Sequence, residues 1–311
     1  MAAAAVTSSA EAPALTYLSS TTTKTAAPAA TKGPVAEAVR AIVAPPKGKH
    51  LGFDTNLYPG DKAMDAWKRS GEYDWVGYYL PAPCHKDASW SGKRARLTKS
   101  GWGLAVIYVG QQTWGKSIPS THSRKSTRSK KSRSAKGAHS MTRESNMPVA
   151  TASDRCSATF VNTAQAKIDA RDAINMASRE GFEKGTVIFL DVEHMNSIPQ
   201  AMRDYYTTWV EALLADGRYR PGIYAHTANA ATIYDDANDV YARAGVKGDP
   251  PFWIAGTRGF NFKSSAPTDV GHAFASVWQG VIDVVRSHNG VKLPIDISVA
   301  SVPSPSDAAV E

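Results

Sequence analysis

Short runs rich in β-branched and aromatic residues recur along the chain, each bounded by turn residues. They are HLGFDTN (50–56), WVGYYL (75–80), LAVIYVG (104–110), VIFLDVE (187–193), PGIYAH (221–226), FWIAGT (252–257), ASVWQGV (275–281) and LPIDISV (293–299). The pattern predicts eight strands. Helical periodicity fills several of the gaps. Asn162 with Gln165 resembles a capping box, Ile168, Ile174 and Ala177 follow, and Gly181 supplies the stop. Pro199 opens a second helix with Met202, Tyr206, Trp209 and Leu213 on one face and Gly217 at its end. Residues 229–244 make a third, Ala-rich candidate. Strands alternating with helices predict parallel βαβ units, and eight in one series favour a single α/β chain of the (β/α)8 TIM-barrel type. An open doubly wound sheet is the runner-up.

Side chains alternate faces along a strand, and this places the chemistry. In the fourth run Ile188, Leu190 and Val192 share the face suited to outer helices, whereas Phe189, Asp191 and Glu193 share the interior face. The first run puts Leu51 and Phe53 outward and Gly52 and Asp54 inward; the last puts Ile295 and Ile297 outward and Asp296 inward. Three strands thus carry acids where a core would hold apolar groups, which is costly for unpaired carboxylates. Any one of these acids, alone, could cap a loop or pair with a buried Arg. All four at matching strand ends predict an acidic pocket at the C-terminal mouth, where barrel active sites form. Clustered like charges let one acid stay protonated beside an ionised neighbour, the pairing that glycoside hydrolysis uses.

Tyr78, Tyr108, Tyr224, His226, Trp253, Trp278 and Gln279 fall near the ends of neighbouring strands. They are candidates to stack on or hydrogen-bond a sugar, with simple packing as the competing reading for each. His194 points to the opposite face from Glu193 and is expected to be structural.

The 311 residues are 42% hydrophobic, enough for a sizeable core. No apolar run approaches the roughly 20 residues of a membrane-spanning helix, so a soluble protein is expected. The formal charge of +8 suggests nucleic acid until it is located. Nine of the 36 Lys/Arg, and no acid, lie between Lys116 and Arg143; the remaining 27 face 28 Asp/Glu. The basicity therefore belongs to one Ser/Arg/Lys insert, about 115–155, after the third strand. It is expected to be disordered and suited to an anionic polymer at residues 116–143, with a solvated loop as the competing reading. Without interleaved aromatics it offers no base stacking, which counts against nucleic acid. Residues 1–47 read as a disordered Ala/Thr/Ser/Pro-rich tail and 301–311 as a loose end, leaving 48–300 for the barrel. The N-terminus lacks the basic and apolar regions of an ordinary signal peptide, and export stays open. Cys84 and Cys156 are either one bridge or two thiols. No motif calls for a cofactor or a resident metal.

Eight pieces in order carry a resemblance over residues 50–299: GFD (52–54), WVGYYL with PAPCH (75–85), GWGLAVIYVGQQ (101–112), FLDVE (189–193), PGIY (221–224), FWIAG (252–256), VWQG (277–280) and PIDIS (294–298). With these the chain resembles the glycoside-hydrolase-like family known as domain of unknown function 1906, relatives of the family 25 lysozyme-type muramidases. The resemblance implies cleavage of an N-acetylated glycan such as peptidoglycan. Muramidases of this type carry an acid on the first strand, a D-x-E pair on the fourth and an Asp on the eighth, which by position are Asp54, Asp191, Glu193 and Asp296. It implies Glu193 as proton donor and Asp191 as the group that holds or charge-balances the substrate acetamido. Asp54 and Asp296 would orient the sugar and tune proton affinity. A barrel that binds cell-wall glycan without cutting it is the alternative.

Overall fold

A computed structural model describes residues 49–114 and 156–307. The predicted tail (1–47), the insert (115–155) with its proposed polymer contact, and residues 308–311 lie outside the described residues. The elements are β1 (His50–Asp54), α1 (Asp61–Lys68), β2 (Trp75–Tyr79), α2 (Arg94–Lys99), β3 (Gly103–Tyr108), α3 (Thr163–Arg179), β4 (Val187–Val192), α4 (Gln200–Asp216), β5 (Arg220–His226), α5 (Thr227–Arg243), β6 (Phe252–Ala255), β7 (Ala275–His288) and β8 (Val291–Ala300). The eight strands close into a barrel in sequence order.

The barrel departs from eightfold βα repetition at its end. β1 to β7 run parallel, but β8 is antiparallel to both β7 and β1. The cause is local: Asn289 and Gly290 take φ of 49° and 79°, the left-handed pair of a two-residue hairpin turn. The chain therefore folds straight back with no helix between. β7 consequently extends seven residues beyond its expected end at Val281, to His288.

Helices form where the pattern places them. Asn162 caps α3 by accepting from the Gln165 N–H, and Gly217 ends α4 at φ 74°. Met202, Tyr206, Trp209 and Leu213 of α4 are fully buried, as expected. Ile168 of α3 is exposed, whereas Ile174 and Ala177 are buried.

Inside the barrel the lower layer is an aromatic plug. Trp253 meets Trp75 and Phe189 edge-on, at 5.4 and 5.8 Å between ring centres. Glycines make the room: a Cβ on Gly52 would lie 2.1 Å from the Trp75 ring, and one on Gly222 would lie 2.7 Å from Phe189. The acids stand above this floor. At the opposite end the expected loose terminus is anchored over its described part. Ser306 donates its N–H to the Leu104 carbonyl and accepts from Val187 N–H, and its hydroxyl accepts from Val106 N–H. Residues 304–306 thus bridge β3 and β4 below the point where those two strands begin to pair directly, which is why the segment is ordered rather than loose. Cys84 and Cys156 form a disulfide.

Candidate active site

β1 and β8 pair with Asp54 opposite Asp296, so strand register alone brings these two carboxylates together. Gly77 on β2 lets Asp54 fit, because a Cβ there would lie 2.5 Å from the Asp54 Cβ. The Tyr79 hydroxyl donates to Asp54 Oδ1 at 2.7 Å. Gln279 on β7 donates its Nε2 to Asp296 Oδ2 at 2.7 Å and lies 3.5 Å from Asp54 Oδ2. Its Oε1 accepts from the Tyr224 hydroxyl at 2.6 Å. The second Asp296 oxygen accepts the Asp283 N–H at 2.7 Å. Asp283 reaches it because the β7–β8 register shifts between Val281 and Val284 and Asp283 itself takes φ 54°. Bulges of this kind re-aim groups beside barrel sites.

The D-x-E pair sits at the end of β4. Asp191 pairs with Tyr224 across β4 and β5, and its Oδ1 is closed from solvent with no hydrogen-bond partner among the described residues. A cavity of about 540 Å³ joins Asp54, Asp191, Glu193 and Asp296, with Tyr79, Tyr224, Trp253 and Gln279 in its walls. All four predicted acids therefore meet in one space. Leu57 and Trp114, 59% and 60% exposed, stand at its edge.

Burial, and next the charge of Asp296, push the Asp54 carboxyl up to about 8, against the downward pull of the Tyr79 bond. Burial, then Glu193 and Asp54, hold Asp191 well above the usual carboxylate range. Burial also raises Glu193, opposed by the His194 N–H and side chain. Asp296 is raised by burial too, while the Asp283 N–H opposes the shift. Asp54 therefore keeps its proton at neutral pH, and burial shifts Asp191, Glu193 and Asp296 toward their protonated forms, the direction a proton donor to a leaving group requires.

Of the predicted sugar-contacting residues, Tyr224, Trp253 and Gln279 line the cavity. Tyr78, Tyr108 and Trp278 do not: strand alternation turns them outward. Tyr78 bonds Glu180 at the end of α3, and Tyr108 bonds Asp172 and stacks on Trp209. Trp278 donates its indole N–H to the Gly256 carbonyl. His226 caps α5 by accepting from Ala228 N–H and meets His194 edge-on. Tyr79, Trp114 and Gln112 were missed. Tyr79 was legible as the residue two beyond Gly77 on the inward face.

Among the described residues no group of His, Cys, Asp or Glu is placed to hold a metal ion, and no helix is long and apolar enough to cross a membrane.

The family described as Rv2525c-like, glycoside hydrolase-like domain matches residues 65–300. No curated protein matches. Among solved structures, similarity extends to an uncharacterized B. stearothermophilus protein (19% identity, TM-score 0.49, covering 81% of this chain and 95% of that one). It extends also to the spore cortex lytic enzyme SleM of Clostridium perfringens (13%, 0.48, 81% and 67%). The Tat-secreted protein Rv2525c of Mycobacterium tuberculosis is a third (15%, 0.44, 81% and 95%).

Proposed function

The chain belongs to the Rv2525c-like glycoside hydrolase-like domain family, and from that premise we propose that its acidic cavity hydrolyses an N-acetylated glycan of the peptidoglycan type. The observation that carries this reading is that Asp54, Asp191, Glu193 and Asp296 meet in one cavity of about 540 Å³. Asp191 lines that cavity with Glu193, where a carboxyl oxygen turned to the sugar would accept an acetamido N–H.

Glu193, its carboxyl raised by burial, protonates the glycosidic oxygen as the bond to the anomeric carbon breaks. Asp191 accepts the acetamido N–H and turns the acetamido oxygen toward that carbon, which it attacks from the opposite face. Water then opens the cyclic intermediate and returns its proton to Glu193. Asp54, with its carboxyl near 8, stays mostly protonated at neutral pH and donates to sugar or to Asp296 while adding little negative charge. Tyr224, part-buried in the cavity wall, offers its ring to the sugar, above the buried Trp253 floor.

The test compares one glycan in two forms. The purified protein should release reducing ends from N-acetylated cell-wall glycan and none from the same material after de-N-acetylation. Equal release from both would remove Asp191 from the role given it; sedimentation with the wall but no reducing ends from either form would favour a binding barrel.

A further inference from the structure

The β3–β4 ladder stops at Tyr108 opposite Leu190, one residue short of the acids. Main-chain pairing on that side therefore does not reach Asp191 or Glu193. Gln112 takes over. Its Nε2 donates to the Asp191 carbonyl at 2.7 Å and its Oε1 accepts the Glu193 N–H at 3.3 Å. One primary amide offers a donor and an acceptor, as a peptide group does, and it is placed where the next rung of the sheet would lie. The two bonded groups fix the orientation of this amide, since the carbonyl can only accept and the N–H can only donate.

The clamp is itself held. Gln112 is 1% exposed. The preceding residue, Gln111, donates its N–H to the Tyr205 hydroxyl and accepts the Ser157 N–H at its Oε1. Tyr205 in turn donates to buried Asp169 on α3. Ser157 follows Cys156, whose disulfide to Cys84 ties the same corner to the cavity wall.

We propose that Gln112 is the positioning residue of the acid strand: its amide serves as a surrogate strand rung that fixes the backbone on both sides of Val192, and so the separation and aim of the Asp191 and Glu193 carboxyls. It touches neither substrate nor a reacting atom. The catalytic consequence rests on the hydrolase reading above; the positioning itself does not.

The experiment uses the full chain and two variants. Gln112→Met keeps the length and removes both bonds. Gln112→Glu keeps both when protonated, because a carboxylic acid donates and accepts like the amide, and only accepts when ionised. Amide hydrogen exchange at Glu193 reads the clamp directly. Gln112→Met should exchange there at least about tenfold faster, and its kcat on N-acetylated glycan should fall about 10- to 100-fold with KM little changed, the signature of misplaced reacting groups. Gln112→Glu should approach wild-type activity at acidic pH and lose it as pH rises, adding a limb to the pH profile that wild type lacks. Exchange at Glu193 unchanged in Gln112→Met overturns the proposal, as does an accelerated exchange with undiminished kcat. If Gln112→Met does not fold, the pH limb in Gln112→Glu decides, and its absence counts against the clamp. If wild type cleaves no glycan, the hydrolase reading fails, and exchange at Glu193 alone decides the positioning.

Discussion

Replacing Asp54 by Asn should make the protein more stable, and the gain should depend on pH. Asp54 is 5% exposed and its carboxyl is pushed from 3.8 to about 8, chiefly by burial and by Asp296. Between pH 4 and 8 the unfolded chain has released this proton while the folded chain keeps it. The unfolded state therefore binds fewer protons, and stability falls as pH rises through that window. Each pH unit in the window costs about 1.4 kcal/mol, so the loss at pH 7 is about 4 kcal/mol. Asn cannot ionise, matches the shape of the protonated acid and can still accept from Tyr79. At pH 4 the variant should equal wild type, and at pH 7 it should melt roughly 10 °C higher, taking 2–4 °C per kcal/mol for a domain of this size. Thermal unfolding followed by circular dichroism at half-unit steps from pH 4 to 8 provides the measurement. A melting difference that stays flat across that range, or a variant less stable at pH 7, refutes the reasoning.

Two further outcomes follow from the geometry. Trp114→Ala removes an exposed ring at the cavity edge and should weaken binding of an N-acetylated oligosaccharide by about 0.5–1.5 kcal/mol, read by titration calorimetry; unchanged affinity would take Trp114 out of the glycan path. Replacing Cys84 and Cys156 together by Ser opens a link across 72 positions and should cost roughly 4 kcal/mol in urea unfolding, whereas an unchanged midpoint would mean that other contacts already hold that corner.

Much of this site was legible in alternation along three strands. Asp54, Asp191, Glu193 and Asp296 were placed inward by period two, and all four reach one cavity. Where proximity to a strand end replaced strand phase, the reading failed: Tyr78 and Tyr108 sit on the outward face, and Tyr79 rather than Tyr78 bonds Asp54. Gly77, like Gly52 an inward glycine beside a large or charged neighbour, marks the phase that would have chosen correctly. The Asn289–Gly290 pair is a hairpin signal in the chain itself, and it alone accounts for the antiparallel β8 within an otherwise repeating pattern. Gln112 carries no such local signal. Its role exists only because the fold sets it against a strand about 80 positions away, and neither composition nor periodicity encodes that meeting.

In the proposed reaction Glu193 donates the proton that cleaves the glycan. That role is tested most directly by incubating wild type and Glu193→Gln with insoluble N-acetylated cell-wall glycan and counting new reducing ends. Wild type should release them steadily. Glu193→Gln should lose about 10²- to 10⁴-fold of that rate, the usual contribution of a general acid, while still sedimenting with the wall. Glu193→Gln working at the wild-type rate would contradict the account.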